Sequence, residues 1–139
     1  MYKRNKDLSE LTAMMKLPIK GKQYIHVYIW DNNDAMRENY IYEGGFAAAY
    51  CGLAHYVNVD TGEAIIGNKF GEIHLVNSTF GAGLWAHELQ HFILDWMDFN
   101  NTKYVEDELE EICLITGDMT NKFWNWFYDN FEAKEGDVT

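Results

Sequence analysis

Apolar positions along the chain change their period once, and the change separates a strand-forming first half from a helix-forming second half. Gln23–Trp30 (QYIHVYIW) is rich in β-branched and aromatic residues and reads as a buried strand. Asn32, Asn33 and Asp34 offer caps for a short helix over residues 34–40. Gly44 and Gly45 then break the chain before residues 46–59, which read as one bent strand or two. Asp60-Thr61-Gly62 marks a turn, residues 64–66 a short strand, and residues 70–76 (FGEIHLV) a further strand ended by Asn77 and Ser78. From there the spacing is helical. Residues 79–99 form a long helix despite Gly81 and Gly83, and Asn100-Asn101-Thr102 punctuates it. Residues 104–116 form a second helix stopped by Gly117-Asp118, and residues 121–131 an aromatic third one with Phe123, Trp124, Phe127 and Phe131 as its core stripe. Strands first and helices after is the order of an α+β domain.

The long helix carries the chemistry. At 100° per residue, Trp85, Leu89, Phe92, Ile93 and Trp96 share one face, while His87 and His91 fall opposite, beside Gln90, Leu94 and Asp95. His87-Glu88-Leu89-Gln90-His91 is an H-E-x-x-H motif. Residues four apart stack on one helix face, so two imidazoles can reach a single zinc ion. Glu88, a quarter turn away, can contact a water there without binding the metal, which is the placement a general base needs. The bland alternatives are core or surface histidines, and the clean segregation of the pair argues against core filler.

A zinc site needs a third protein ligand, and the next helix offers Glu106, Asp107, Glu108, Glu110 and Glu111. With Leu109, Ile112, Cys113 and Thr116 taken as the inward side, Glu110 borders that side and is the first choice, Glu106 the second. His74, on the strand 70–76, is the candidate substrate contact, ahead of His26 and His55. Tyr104 or Tyr56 would serve a developing oxyanion. The strand 70–76 leads straight into the active helix and is expected to form the cleft edge, pairing with an extended peptide.

Composition narrows the partners. The 139 residues fit one domain, 1–139, with polar ends at 1–7 and 133–139 expected to be disordered. A formal charge of −11 leaves no basic surface for binding nucleic acid through its phosphates. No apolar stretch is long enough for a membrane span, and the run at 11–19 is too short, and too interrupted by Lys16, for a signal peptide. Cys51 and Cys113 lie far apart in apolar runs and read as buried free thiols. The expected home is a reducing cytoplasm, that of a bacterial host if the gene is carried by a phage.

The segment 71–96, GEIHLVNSTFGAGLWAHELQHFILDW, resembles small metallopeptidases encoded by phages and prophages. In that family a strand beginning G-E-I leads through a Gly-containing loop into W/V-A-H-E-x-x-H. The stretches 24–32 and 48–56 also look similar, as does the acidic helix around Glu110-Glu111-Ile112-Cys113. The resemblance implies a zincin-like fold: a small mixed or antiparallel sheet packed on the H-E-x-x-H helix and a following glutamate-bearing helix. It maps His87, His91 and Glu110 onto zinc ligands and Glu88 onto the base of a peptide- or amide-bond hydrolase. The rival expectation is an acidic binding or inhibitory protein on the same scaffold, acting on a host protein without catalysis.

Overall fold

In a computed structural model, which describes residues 11–32, 34, 36, 48–52, 60–61, 67–77 and 81–131, six elements follow one another. They are β1 (Leu11–Lys20), β2 (Gln23–Trp30), β3 (Ala48–Gly52), β4 (Lys69–Val76), α1 (Ala82–Phe99) and α2 (Glu106–Asn130). The strands form one sheet in the order β1-β2-β4-β3. β1 and β2 are antiparallel, β2 and β4 parallel, β4 and β3 antiparallel. A mixed sheet with two helices is an α+β arrangement.

β1 carries no element in the expectations above, yet its pattern is regular. Met15, Leu17 and Ile19 turn inward while Met14, Lys16, Pro18 and Lys20 are exposed, the period of two that a half-buried strand requires. Pro18 obscures it. Proline cannot donate to a ladder and is confined to edges, and among the described residues β1 is an edge strand bonded only to β2. The hairpin to β2 closes through Gly21 and Lys22, and Gly21 takes φ 59°, the positive value that a two-residue turn asks of its first residue.

One irregularity sorts the sheet. Tyr24 pairs with Lys69 but Ile25 pairs with Gly71, so Phe70 is an extra residue in β4. Beyond it Ile25, Val27, Ile29, Ile73 and Leu75 lie on one face, and Phe70 joins them in the core. Its ring meets Phe92, Trp96 and Phe99 of α1 edge-on, at 5.2–5.7 Å between centroids.

α1 buries the expected stripe of Trp85, Leu89, Phe92, Ile93 and Trp96. It starts without a side-chain cap and with no acid in its first turn, so packing rather than local sequence holds it. Trp85 stacks flat on Phe123 of α2, 3.9 Å between centroids and 6° between planes. The Trp85 Nε1 is buried with no hydrogen-bond partner among the described residues. The orphan costs about 1–3 kcal/mol, which burying a ring of roughly 200 Å² offsets.

The two helices expected over 104–116 and 121–131 are one. α2 runs through Gly117 and Asp118 without a break, because Ile115, Met119 and Phe123 continue a single buried stripe along it. An interior glycine costs only about 1 kcal/mol, too little to end a helix that packing holds on both sides. The longer helix also shifts the inward face. Cys113, expected to be buried, is an exposed free thiol, and the inward positions are Ile112 and Ile115. Phe123 is buried, with Trp124, Phe127 and Phe131 partly buried against the core.

The strand 70–76 is not the cleft edge either. β4 is hydrogen-bonded on both sides, by β2 and β3, and the outer place beside it belongs to β3. Of residues 34–40 only Asp34 and Met36 are described, both helical. The strand expected at 64–66 and the ends 1–7 and 133–139 lie outside the described residues. No described helix is long and apolar enough to cross a membrane.

Helix continuity makes a test. An added Cβ at Gly117 would meet nothing within 4 Å. Gly117→Ala should therefore raise stability by about 0.5–1 kcal/mol, read as a higher urea midpoint. A break at this residue would make the same substitution destabilising.

Candidate metal centre

α1 turns His87 and His91 outward, away from the stripe that it buries in the core. The His87 side chain is 64% exposed, and His91 is exposed too. The two rings stand at 70° with centroids 4.9 Å apart, and their Nε2 atoms are separated by 3.2 Å. Two nitrogens each about 2.0–2.1 Å from a tetrahedral zinc ion lie roughly 3.3 Å apart. The pair is thus spaced as two ligands of one such ion, on a face that solvent reaches.

Glu88 differs from its neighbours. It is buried, 5% exposed, and its Oε2 lies 3.8 Å from the His87 Nε2. Burial pushes its carboxyl above the ordinary range, opposed by the charges of His87 and His91 and by the Tyr50 backbone N–H, which donates to it. Tyr50 belongs to β3, the edge strand, and touches α1 twice more. Its hydroxyl donates to Asp95 Oδ2 at 2.8 Å, and its ring stands edge-on to Phe92 at 6.0 Å. One tyrosine therefore ties β3 to α1 and fixes one side of Glu88. The motif gives no hint of it, since the contact joins residues 38 positions apart.

The second helix approaches from another direction. Ala86, Leu89, Gln90 and Ile93 of α1 share a groove with Thr116, Thr120 and Trp124 of α2. That flank lies away from the histidines. The helices are antiparallel, so Trp96 and Asn100 sit with Glu108, Glu111 and Ile112, level with the far end of α1. Glu110 and Glu106 are exposed at that end. The structure does not bring either to His87 and His91, and among the described residues no three of His, Cys, Asp and Glu group as a metal site. No family model, curated protein or solved structure matches this chain.

His74, expected at the cleft, is placed elsewhere. It is 0% exposed, on the sheet face away from the helices. Trp30 Nε1 donates to its Nδ1 at 2.8 Å, and since an indole can only donate, that nitrogen carries no proton. The Nε2 lies 2.8 Å from Glu72 Oε1 and so donates to it. The ring also stacks on Tyr28 at 4.5 Å and 11°. Both nitrogens are engaged inside the protein, and burial keeps a substrate from the ring. Glu72, itself 0% exposed, accepts from the Tyr28 hydroxyl at 3.2 Å and pairs with Lys69. His26 joins the end of this row, its Nδ1 3.2 Å from the Tyr28 hydroxyl. The signal for the row is the alternation of Tyr24, His26, Tyr28 and Trp30 with Ile25, Val27 and Ile29. Of the other candidates, Tyr104 is exposed at the helix turn, and His55 and Tyr56 lie outside the described residues.

The buried row carries a pH signature. Burial first, then the Glu72 carboxylate, raise the Tyr28 pKa well above the ordinary tyrosine value. The folded protein keeps this proton where the unfolded chain has lost it, so the associated stability is whole below about pH 10 and drains away above it. Urea midpoints should fall as pH rises through that range, and Tyr28→Phe should flatten the fall while costing about 1 kcal/mol near neutrality. An unchanged slope in the variant would assign the alkaline loss to other groups.

Proposed function

We propose that this protein is a zinc-dependent hydrolase of peptide or amide bonds, built on a zincin-like scaffold. The observation that carries the reading is the 3.2 Å separation of the His87 and His91 Nε2 atoms, with the buried Glu88 carboxylate alongside. His87 and His91 would hold the ion. Glu110 is the third ligand that the motif resemblance implies, and among the described residues no third protein ligand stands with the two histidines. The chemistry a bound zinc ion supplies is that of a Lewis acid, polarising a carbonyl and making water easier to deprotonate.

The chain's own residues do the rest. Glu88 stands close enough to the imidazoles to take a proton from an attacking water and pass it to the leaving nitrogen. The Tyr50 N–H holds one side of that carboxylate. The burial of Glu88 favours accepting the proton, because it penalises the charged form. The exposed histidine face leaves room for a polypeptide substrate, in keeping with an open rather than a closed structural site.

A second reading has one observation in its favour. Glu106, Asp107, Glu110 and Glu111 of α2 are exposed, a surface suited to a basic protein partner without catalysis. The two readings separate in one experiment. Protein purified without added metal should contain about one zinc per chain by elemental analysis, and His91→Ala should lose it. Glu88→Ala should keep the zinc and lower peptide hydrolysis by about 10²–10⁴-fold. Zinc-free wild type that stays empty after zinc is added back would end the metallopeptidase reading, as would full activity in Glu88→Ala.

A further inference from the structure

The outward face of α1 continues past the histidines. His87, His91, Leu94 and Asp98 follow at i, i+4, i+7 and i+11, a single stripe along the helix. All four are exposed. The stripe ends where α1 gives way to the turn, as Asn101 takes φ 51° and the Thr102 N–H returns to the Met97 carbonyl at 2.9 Å. There Leu94, Met97, Asp98, Asn101, Thr102 and Tyr104 line a hollow of about 360 Å³.

The walls of this hollow combine three chemistries. Leu94 and Met97 are aliphatic, and Leu94 is left 53% exposed. Tyr104 is 82% exposed and offers an open aromatic face. Asp98 is an exposed carboxylate with no hydrogen-bond or ion-pair partner among the described residues. No lysine, arginine or histidine is among the described residues that line it. A side chain with an aliphatic stem and a cationic head matches each part. The stem packs on Leu94 and Met97, the cation lies over Tyr104, and the charge meets Asp98. Glu106 and Asp107, just beyond Tyr104 in sequence, outnumber the single cation nearby, Lys103, so the local charge stays negative.

We propose that this hollow is a specificity subsite for arginine or lysine in an extended peptide whose reacting bond lies at His87 and His91. It deepens the hydrolase reading and rests on it. Asp98 stands seven residues beyond His91, about 10 Å at 1.5 Å per residue, or three residues of extended chain. The basic side chain therefore belongs about three positions from the bond that reacts.

The test is fluorescence anisotropy with labelled, blocked peptides that carry Arg, Ala or Glu three positions from the centre, on either side. Zinc-supplemented and chelator-treated protein are measured side by side. The Arg peptide should bind roughly tenfold more tightly than the Ala peptide, and the Glu peptide most weakly. Asp98→Lys should reverse that order. Asp129→Lys makes the same change of charge at the far end of α2 and should leave the order intact. Equal binding of the three peptides, or equal losses in both variants, would overturn the subsite. Normal zinc binding without an Arg preference would remove the subsite and leave the hydrolase reading standing. An Arg preference in a protein that takes up no zinc would do the reverse.

Discussion

A strand sorts its side chains by parity, and β4 has to change parity once to serve both of its faces. The extra residue at Phe70 makes that change. Without it, matching Tyr24 to Lys69 would carry Glu72 to the side of Val27, placing a carboxylate against the rings of α1. With it, Ile73 and Leu75 face the helices, Glu72 and His74 face away, and Phe70 still reaches Phe92, Trp96 and Phe99.

The same sorting fixes what α1 can offer. Its apolar stripe meets the sheet on one side and α2 on another, and a helix so engaged has one free arc left. His87 and His91 occupy that arc. Glu88 falls at the seam between the free arc and the sheet edge, which is why adjacent residues differ so widely in exposure. The seam is closed by Tyr50, whose main chain and side chain both reach α1. The placement of Glu88 thus involves the short strand β3 as well as the motif.

The local part of this arrangement was legible in the chain. The helical stripe from Trp85 to Trp96, the outward histidines, the strands β2 and β4 and the α+β order follow from spacing alone. What depends on long-range pairing was not legible. Nothing near residues 70–76 says that β3 will cover their outer edge, or that Glu72 and His74 will find Tyr28 and Trp30 across the sheet. Gly117-Asp118 is a fair local stop, and packing of Ile115, Met119 and Phe123 overrides it. That Glu110 lies away from the histidine pair has the same origin. Its stripe was set by treating residue 116 as a helix end, and the flank on which α2 docks is invisible from either helix by itself.

Among the described residues β1 has a border of main-chain amides at the rim of the sheet, the kind of border onto which a stray chain can zip. Three of its side chains make that difficult. Pro18 removes a donor from the row, Lys16 is held over the Tyr24 ring at 4.1 Å, and Lys20 is tied to Glu111. An incoming strand would have to strip water from both ammonium groups and would still meet a gap in the ladder. Three side chains of β1, which takes no part in the candidate chemistry, thus work against strand addition along it.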